Sequence, residues 1–328
     1  MQSKTSYHFL LIRWSGMGDV VMTLPAVRWL QNRFDNCHIT YLTDAAFAKI
    51  IEQSGYVDTI ETIDRRGFTR LRSFLPSLFS LFGIIWRLRR TRFDFVFDLQ
   101  GFGETALLAY LSGAPVRIGR YKESFLRKRI YTLPIDADWG RDHRSLFFLR
   151  AVTGPFGINP STVTERPILS KTVSEKKDGL SPRIGLNIGA STESRRWSEQ
   201  NFFQLARRLT QRGYTVRFFL GPQETAMIET VKEVCMNSRW EVSVQSQIEP
   251  LMQSLSECNL LVSNDTGPGH LAAALDVPVV TLYSTGNPEN VGPMAIGVRW
   301  FRNEADINNI RVDDVEQACV ELLNSIER

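Results

Sequence analysis

The sequence predicts an α/β protein of two doubly wound, Rossmann-like domains in tandem. Three observations carry that expectation. Short apolar runs recur along the chain, most ending in a glycine-bearing turn and followed by a segment of helical periodicity. A polar tract without periodicity, "ILSKTVSEKKDGLSP" from Ile168 to Pro182, interrupts the pattern and reads as a linker. Charge divides near the same place: residues 1–170 hold eight more basic than acidic side chains and residues 171–328 hold four fewer, for a net +4. The domains are therefore set at 1–170 and 171–328.

Taken in order, "HFLLI" is an apolar strand that enters the turn "SGMGDV" and then a helix from about Val20. "HITYLT" and "FDFVFDLQ" are further strands, the second followed by the alanine-rich helix of "GFGETALLAYLSG". Beyond the linker, "RIGLNIG", "YTVRFFLG", "NLLVSND" and "VPVVTLY" are four strands, with helices such as "NFFQLARRLTQRG" between them. In a parallel sheet the turns at the carboxyl ends of these strands are where ligands bind.

Composition narrows the function classes. Charged residues at 23% and aromatics at 11% are ordinary for a globular chain. Cys37, Cys235, Cys258 and Cys319 lack any CxxC spacing, so neither a zinc site nor a disulfide framework is expected, and a reducing, cytoplasmic setting is. Phe9–Ile12 is too short to be the core of a signal peptide. Phe74–Trp86 falls short of the roughly 20 residues that span a bilayer, and flanking arginines make it either a core helix or a basic amphipathic helix on a membrane surface. From Arg65 through Arg92 there is no acidic residue, and Arg117 and Arg120 follow. An anionic acceptor or surface is implied, with Arg65, Arg66 and Arg120 as candidate contacts. No recognised nucleic-acid module accompanies these arginines, so nucleic acid is not an expected partner.

The chemistry-bearing stretches sit at strand ends. "SGMGDV" begins like a dinucleotide fingerprint, but Val21 stands at the third glycine position, so NAD binding is poorly supported. The turn instead presents Asp19 at a helix mouth, as an N-cap or as a carboxylate able to take a proton from a hydroxyl nucleophile. "NIGASTESRRW" offers Gly189, Ser191 and Thr192 and then Arg195 and Arg196, whose forked guanidiniums suit a diphosphate; a solvated surface pair is the bland alternative. "FFLGPQE" ends with Glu224, either a helix-start residue or an acceptor for ribose hydroxyls. "SNDTGPGHLAAALDVP" places Asp265, Thr266, Gly267 and His270 in a tight turn before a helix, which binds an anion or merely caps that helix. His8, His38 and His143 are expected to be structural.

These segments, "SGMGDVVMTLPAVRWL", "FDLQGFGETALLAYLSGAPVRIG", "RRWSEQNFFQLARRL", "GPQE" and "SNDTGPGHLAAALDVPVVTLY", follow the order and spacing of the lipopolysaccharide heptosyltransferases, which the chain resembles over nearly its full length. The resemblance implies a GT-B glycosyltransferase, two Rossmann-like domains facing each other across a cleft. It implies an inverting transfer of heptose from ADP-heptose to an anionic lipid A–core acceptor, at the cytoplasmic face of the inner membrane. By the same resemblance Asp19 is the general base, and Thr266 and Gly267 hold the donor diphosphate with Ser191, Thr192, Arg195 and Arg196. Glu224 binds ribose, the loop Ser246, Gln247 and Ile248 encloses adenine, and Asp265 and His270 lie by the donor sugar. No dedicated metal site is expected, and Mg2+ enters at most as a stimulant. Two departures, "STG" at Ser284–Gly286 and Gly269, fall near the sugar pocket. The rivals are a GT-B transferase with another nucleotide sugar and a non-catalytic nucleotide- or glycan-binding protein.

Overall fold

The computed structural model describes residues 6–64, 74–120, 129–135, 142–159, 166–169, 181–221, 224–236 and 240–326. The chain divides into two compact units, Met1–Glu165 and Arg166–Arg328. The division falls earlier than the polar tract indicates because the start of that tract already belongs to the second unit: Arg166 pairs with Asp276, and the Leu169 amide donates to the Ala274 carbonyl at 2.7 Å.

Unit one holds β1 (Tyr7–Ile12), β2 (Cys37–Asp44), β3 (Thr59–Ile63), β4 (Phe95–Asp98), β5 (Val116–Arg120) and β6 (Leu133–Ile135), in the order β3-β2-β1-β4-β5-β6. Every neighbouring pair is parallel. The chain runs outward from β1 through β2 and β3, then returns to β4 on the other side of β1. A crevice therefore opens at the carboxyl ends of β1 and β4, where the winding reverses. It is the turns after those two strands, residues 13–19 and 99–102, that the topology brings side by side.

Unit two repeats the plan. Its strands are β7 (Arg183–Asn187), β8 (Thr215–Leu220), β9 (Trp240–Val244), β10 (Leu260–Asn264), β11 (Val279–Tyr283) and β12 (Val298–Arg302), all parallel, in the order β12-β11-β10-β7-β8-β9. Here the reversal lies between β7 and β10. Residues 188–197 and 265–267 are set beside each other by that step.

Central strands are buried on both faces, so they are continuous apolar runs: Phe9–Ile12 in β1 and Val279–Tyr283 in β11 are essentially inaccessible. The helix after β1 spans Met17–Arg33, three residues longer at its start than the sequence indicates. Its N-cap is Gly16 at φ 80, a conformation open to glycine, and a Cβ there would stand 2.7 Å from Asp19 Oδ2. Asp19 is thus inside the first helical turn and caps nothing.

Trp197 anchors the loop after β7. It is fully buried, packs edge-on against Phe202 at 5.0 Å, and donates from Nε1 to the Ile310 carbonyl at 3.1 Å. Trp197→Ala is expected to cost about 3–5 kcal/mol, read as a lowered urea midpoint, because it opens a large cavity and strands that carbonyl. An unchanged midpoint would show that the loop is held by other means.

Candidate functional site

In the second unit, side chains stitch the two loops at the reversal point together. Asn187, the last residue of β7, donates from Nδ2 to Ser263 Oγ at 2.9 Å and to Thr266 Oγ1 at 2.8 Å. Asn264, the last residue of β10, donates to the carbonyls of Ile188 and Gly189 at 3.1 and 3.2 Å and accepts the Trp197 amide at 3.0 Å. Both amides are buried and each makes at least two side-chain hydrogen bonds, so the loops are held together before any ligand arrives. Thr266 occupies the N-cap position of the helix Gly267–Ala274, yet its side chain makes no capping bond. Thr266 therefore does not cap this helix with its side chain; Pro268 has no N–H and the Gly269 amide donates to the Thr266 carbonyl at 3.1 Å, so it is the amides of Thr266 and Gly267 that remain for an anion.

The predicted diphosphate residues stand on this stitched platform. Ser191 and Thr192 are exposed, and a short 3-10 turn, Glu193–Arg195, follows them. Arg195 and Arg196 are half-buried, and neither forms an ion pair with any carboxylate among the described residues. The Arg196 side chain donates only a long 3.4 Å bond to the Ala190 carbonyl, and its Nε is buried without a partner among the described residues. A solvated arginine pair would not leave a nitrogen in that state. The loop that carries these two guanidiniums is tied by Asn264 to the strand end that leads into the helix Gly267–Ala274, so positive charge and a helix N-terminus belong to neighbouring loops.

Glu224 is 9% exposed and sits where the loop after β8 meets the loop after β7. Its Oε2 accepts the Gly221 amide at 2.7 Å at the end of β8, while Oε1 lies where a Cβ on Gly189 would be 2.6 Å away. Only glycine at 189 leaves the carboxylate room, and Oε1 accepts no hydrogen bond among the described residues. Ser246 and Gln247 are exposed and Ile248 half-buried, at the carboxyl end of β9, one strand farther along the same crest. Asp265 follows β10, with its amide on the Leu282 carbonyl at 3.0 Å. The "STG" departure lies against it: a Cβ on Gly286 would come within 2.8 Å of Asp265 Oδ2 and 2.9 Å of the Tyr283 ring. His270 is buried within the helix, one turn past its start.

The first unit gathers a second, carboxylate-centred cluster. Asp19 Oδ2 accepts from Arg13 Nη2, and Oδ1 from Arg144 Nη1 at 2.7 Å. Arg13 is 3% exposed; its remaining donors go to the carbonyls of Ser15 (3.1 Å) and Leu99 (2.9 Å), and its guanidinium lies over the Phe148 ring. Burial pulls the Arg13 pKa down, opposed by the charge of Asp19. The neighbouring loop is fixed by Gln100, which donates to Ser15 Oγ at 2.6 Å, and by the buried Asp98, which accepts from the amides of Gln100 and Gly101 and from Tyr131 at 2.6 Å. Burial pushes the Asp98 carboxyl up from its ordinary value. Arg120 ends β5 against Gly101, on the same crest as Asp19. Arg65 and Arg66 lie outside the described residues.

Arg13 and Arg144 were not singled out by the sequence. Arg13 follows an apolar strand, where a charge reads as a strand end, and Arg144 is 125 positions from its partner. A faint signal existed in "DHRS": His143 accepts the Ser145 amide at 3.2 Å and so starts the helix Arg144–Thr153 that carries Arg144. His38 bonds Thr59 across β2 and β3 at 2.9 Å, a structural role as expected.

Two Rossmann-like units, each with a polar crest at its winding reversal, are the architecture of the GT-B fold. Residues 82–318 match glycosyltransferase family 9 (heptosyltransferase), and the chain belongs to that family. It is 25% identical over 296 residues to lipopolysaccharide heptosyltransferase 1 of Pseudomonas aeruginosa, covering 86% of this chain and 80% of that one. Among solved structures, a family 9 glycosyl transferase from Veillonella parvula superposes with a TM-score of 0.83 at 24% identity, over 97% of each chain. The E. coli heptosyltransferase WaaC with ADP gives 0.84 at 20% identity, over 96% of this chain and 99% of that one. The resemblance read from the motifs is thereby borne out at the level of family and fold.

Proposed function

We propose that the protein transfers a heptose, with inversion, from ADP-L-glycero-D-manno-heptose to the lipopolysaccharide inner core. The carrying observation is that, in the second unit, two arginines without carboxylate partners among the described residues, a helix start whose N-cap side chain makes no capping bond, and a buried carboxylate, Glu224, lie on loops at the carboxyl ends of adjacent strands. That set suits a nucleoside diphosphate. Arg195, Arg196, Ser191, Thr192 and the amides at Thr266–Gly267 take the phosphates; Glu224 Oε1 takes ribose hydroxyls; Ser246, Gln247 and Ile248 border the base; Asp265 and His270 lie by the sugar. The adenine donor is supported by a similar protein whose structure contains ADP.

Asp19 of the first unit takes the proton of the acceptor hydroxyl as the sugar carbon is attacked, and the bond to the departing diphosphate breaks. The arginines and helix dipole stabilise the charge that accumulates there. Arg120, with Arg65 and Arg66, meets the anionic groups of a lipid A–core acceptor. A lipid-anchored acceptor places the reaction at a membrane, in this reading the cytoplasmic face of the inner one. The scheme needs no metal ion, and Mg2+ would enter it at most as a stimulant.

Calorimetry with ADP, ADP-heptose, UDP-glucose and GDP-mannose tests the assignment. ADP and ADP-heptose are expected to bind selectively, and Glu224→Ala to weaken both by about tenfold, the scale of a lost charge-assisted hydrogen bond. Preference for UDP or GDP would keep the fold and replace the donor, and no binding of any nucleotide would end the enzymatic reading. A different sugar on the same nucleotide is the second reading, favoured by the Ser284–Gly286 turn pressed against Asp265.

A further inference from the structure

The outer face of the first unit carries an apolar surface that the catalytic scheme does not use. On the helix Phe74–Thr91, Phe79, Phe82 and Trp86 are 75%, 61% and 61% exposed. At about 100° per residue they fall within roughly 60° of one another, one narrow stripe. The opposite side of the same helix supplies Leu81, Ile84, Ile85 and Leu88 to the core. The packing requirement of the helix is therefore met without the aromatic stripe. On the adjoining helix Gly103–Leu111, Leu107 and Tyr110 are 52% and 53% exposed, one turn apart. The two helices share one core through Ile84, Leu88, Ala106 and Ala109, and Arg89 reaches across to the Leu111 carbonyl at 3.5 Å. The two stripes are thus outward faces of neighbouring helices.

Charge says what covers this surface. Arg89 and Arg90 flank the aromatic stripe on its two sides, and neither forms an ion pair among the described residues. Arg90 lies over the Trp86 ring at 5.2 Å and Arg117 over Tyr110 at 5.6 Å, so cationic heads stand directly at the aromatic edges. Rings entering an apolar layer while guanidiniums stay at its charged boundary is the arrangement of an interfacial helix. A second copy of the chain fits less well, since pairing this face with itself would juxtapose arginines that hold no carboxylate against Glu104, the one acid at its rim among the described residues. No helix among the described residues is long and apolar enough to cross a membrane, so contact along the surface is the geometry available.

We propose that the outer face of helices Phe74–Thr91 and Gly103–Leu111 is a lipid-docking surface that seats the protein on an anionic bilayer. The second helix begins at the loop holding Gln100 and Gly101, beside Asp19, so the seat and the acceptor-side cluster are carried by one rigid unit. The surface rests on its own geometry and is independent of the donor assignment.

Sedimentation with vesicles of phosphatidylglycerol and phosphatidylethanolamine, against phosphatidylcholine, tests it on the full chain. The wild type is expected to partition at least about tenfold more onto the anionic vesicles at low salt, and less as salt rises. Phe82→Ser with Trp86→Ser is expected to lose about tenfold or more on anionic vesicles. Arg89→Gln with Arg90→Gln should lose binding to anionic vesicles only, at low salt only. Thermal midpoints near wild type confirm folding, since all four side chains are exposed, and nucleotide calorimetry on the same preparations reports the donor site separately. Absence of wild-type binding, or variants that bind like wild type, overturns the proposal. So does a lipid-free dimer that the aromatic substitutions convert to monomer.

Discussion

Asp19→Asn is expected to lower turnover by roughly 100-fold or more while ADP binding is kept, the scale of a lost general base. Asparagine preserves the shape in the first turn of the helix and can still accept from Arg13 or Arg144, so the fold around it has reason to persist. It cannot accept a proton. Both carboxylate oxygens of Asp19 already receive one guanidinium bond each, but a carboxylate offers about four lone-pair sites, so each oxygen retains one for a substrate hydroxyl. Asp98, the other carboxylate of that crest, has no such reserve of access: it is 1% exposed and its oxygens hold two loop amides and Tyr131. Its role is to shape the loop, and Asp98→Asn should act on stability rather than selectively on turnover. Steady-state kinetics at saturating donor, with calorimetry of ADP binding, separates the two. An Asp19→Asn enzyme with near wild-type turnover would remove Asp19 from the mechanism.

The sequence exposes those parts of the fold whose physics is local. Strands buried on both faces must be apolar throughout, so β1, β4, β7, β8, β10 and β11 stand out, and β2 with them. The strands that escaped notice, β3, β5, β6, β9 and β12, lie toward the sheet edges and are short or mixed, as in "TIETI" and "WEVSV". Their strand character comes from a parallel neighbour supplying half the hydrogen bonds, which no window of sequence contains. Site residues divide in the same way. Turns such as "SGMGDV" and "SNDTGPG" announce themselves because backbone demands at a strand end leave glycine, proline and acids there. What those turns are tied to is tertiary information: Asn187 to Thr266, Asn264 to Gly189, Arg144 to Asp19. The sequence puts the start of the first helix too late because "SGMG" reads as a turn, whereas helical geometry begins at Met17, directly after Gly16 at φ 80.

The largest effect not foreseen from sequence concerns Arg13. Arg13→Gln is expected to lower turnover by about 10–100-fold with donor affinity within about twofold of wild type, because the residue aims the proposed base in the first unit, whereas the proposed donor residues belong to the second. Three of its nitrogens are committed to Ser15, Leu99 and Asp19, so the guanidinium triangulates the carboxylate against the ends of both β1 and β4. Arg144, with 24% of its side chain exposed, can leave Asp19 when substrate arrives, but Arg13 at 4% cannot. Glutamine keeps some of the volume and loses the fork. Lysine keeps the charge yet cannot reach three acceptors in one plane, so Arg13→Lys should recover only part of the turnover. A stability cost of about 1–3 kcal/mol accompanies either change, from the acceptors left unpaired. A double-mutant cycle distinguishes positioning from simple damage: if Arg13 works through Asp19, Arg13→Gln added to Asp19→Asn costs little further turnover. Full additivity of the two losses would assign Arg13 to the scaffold alone.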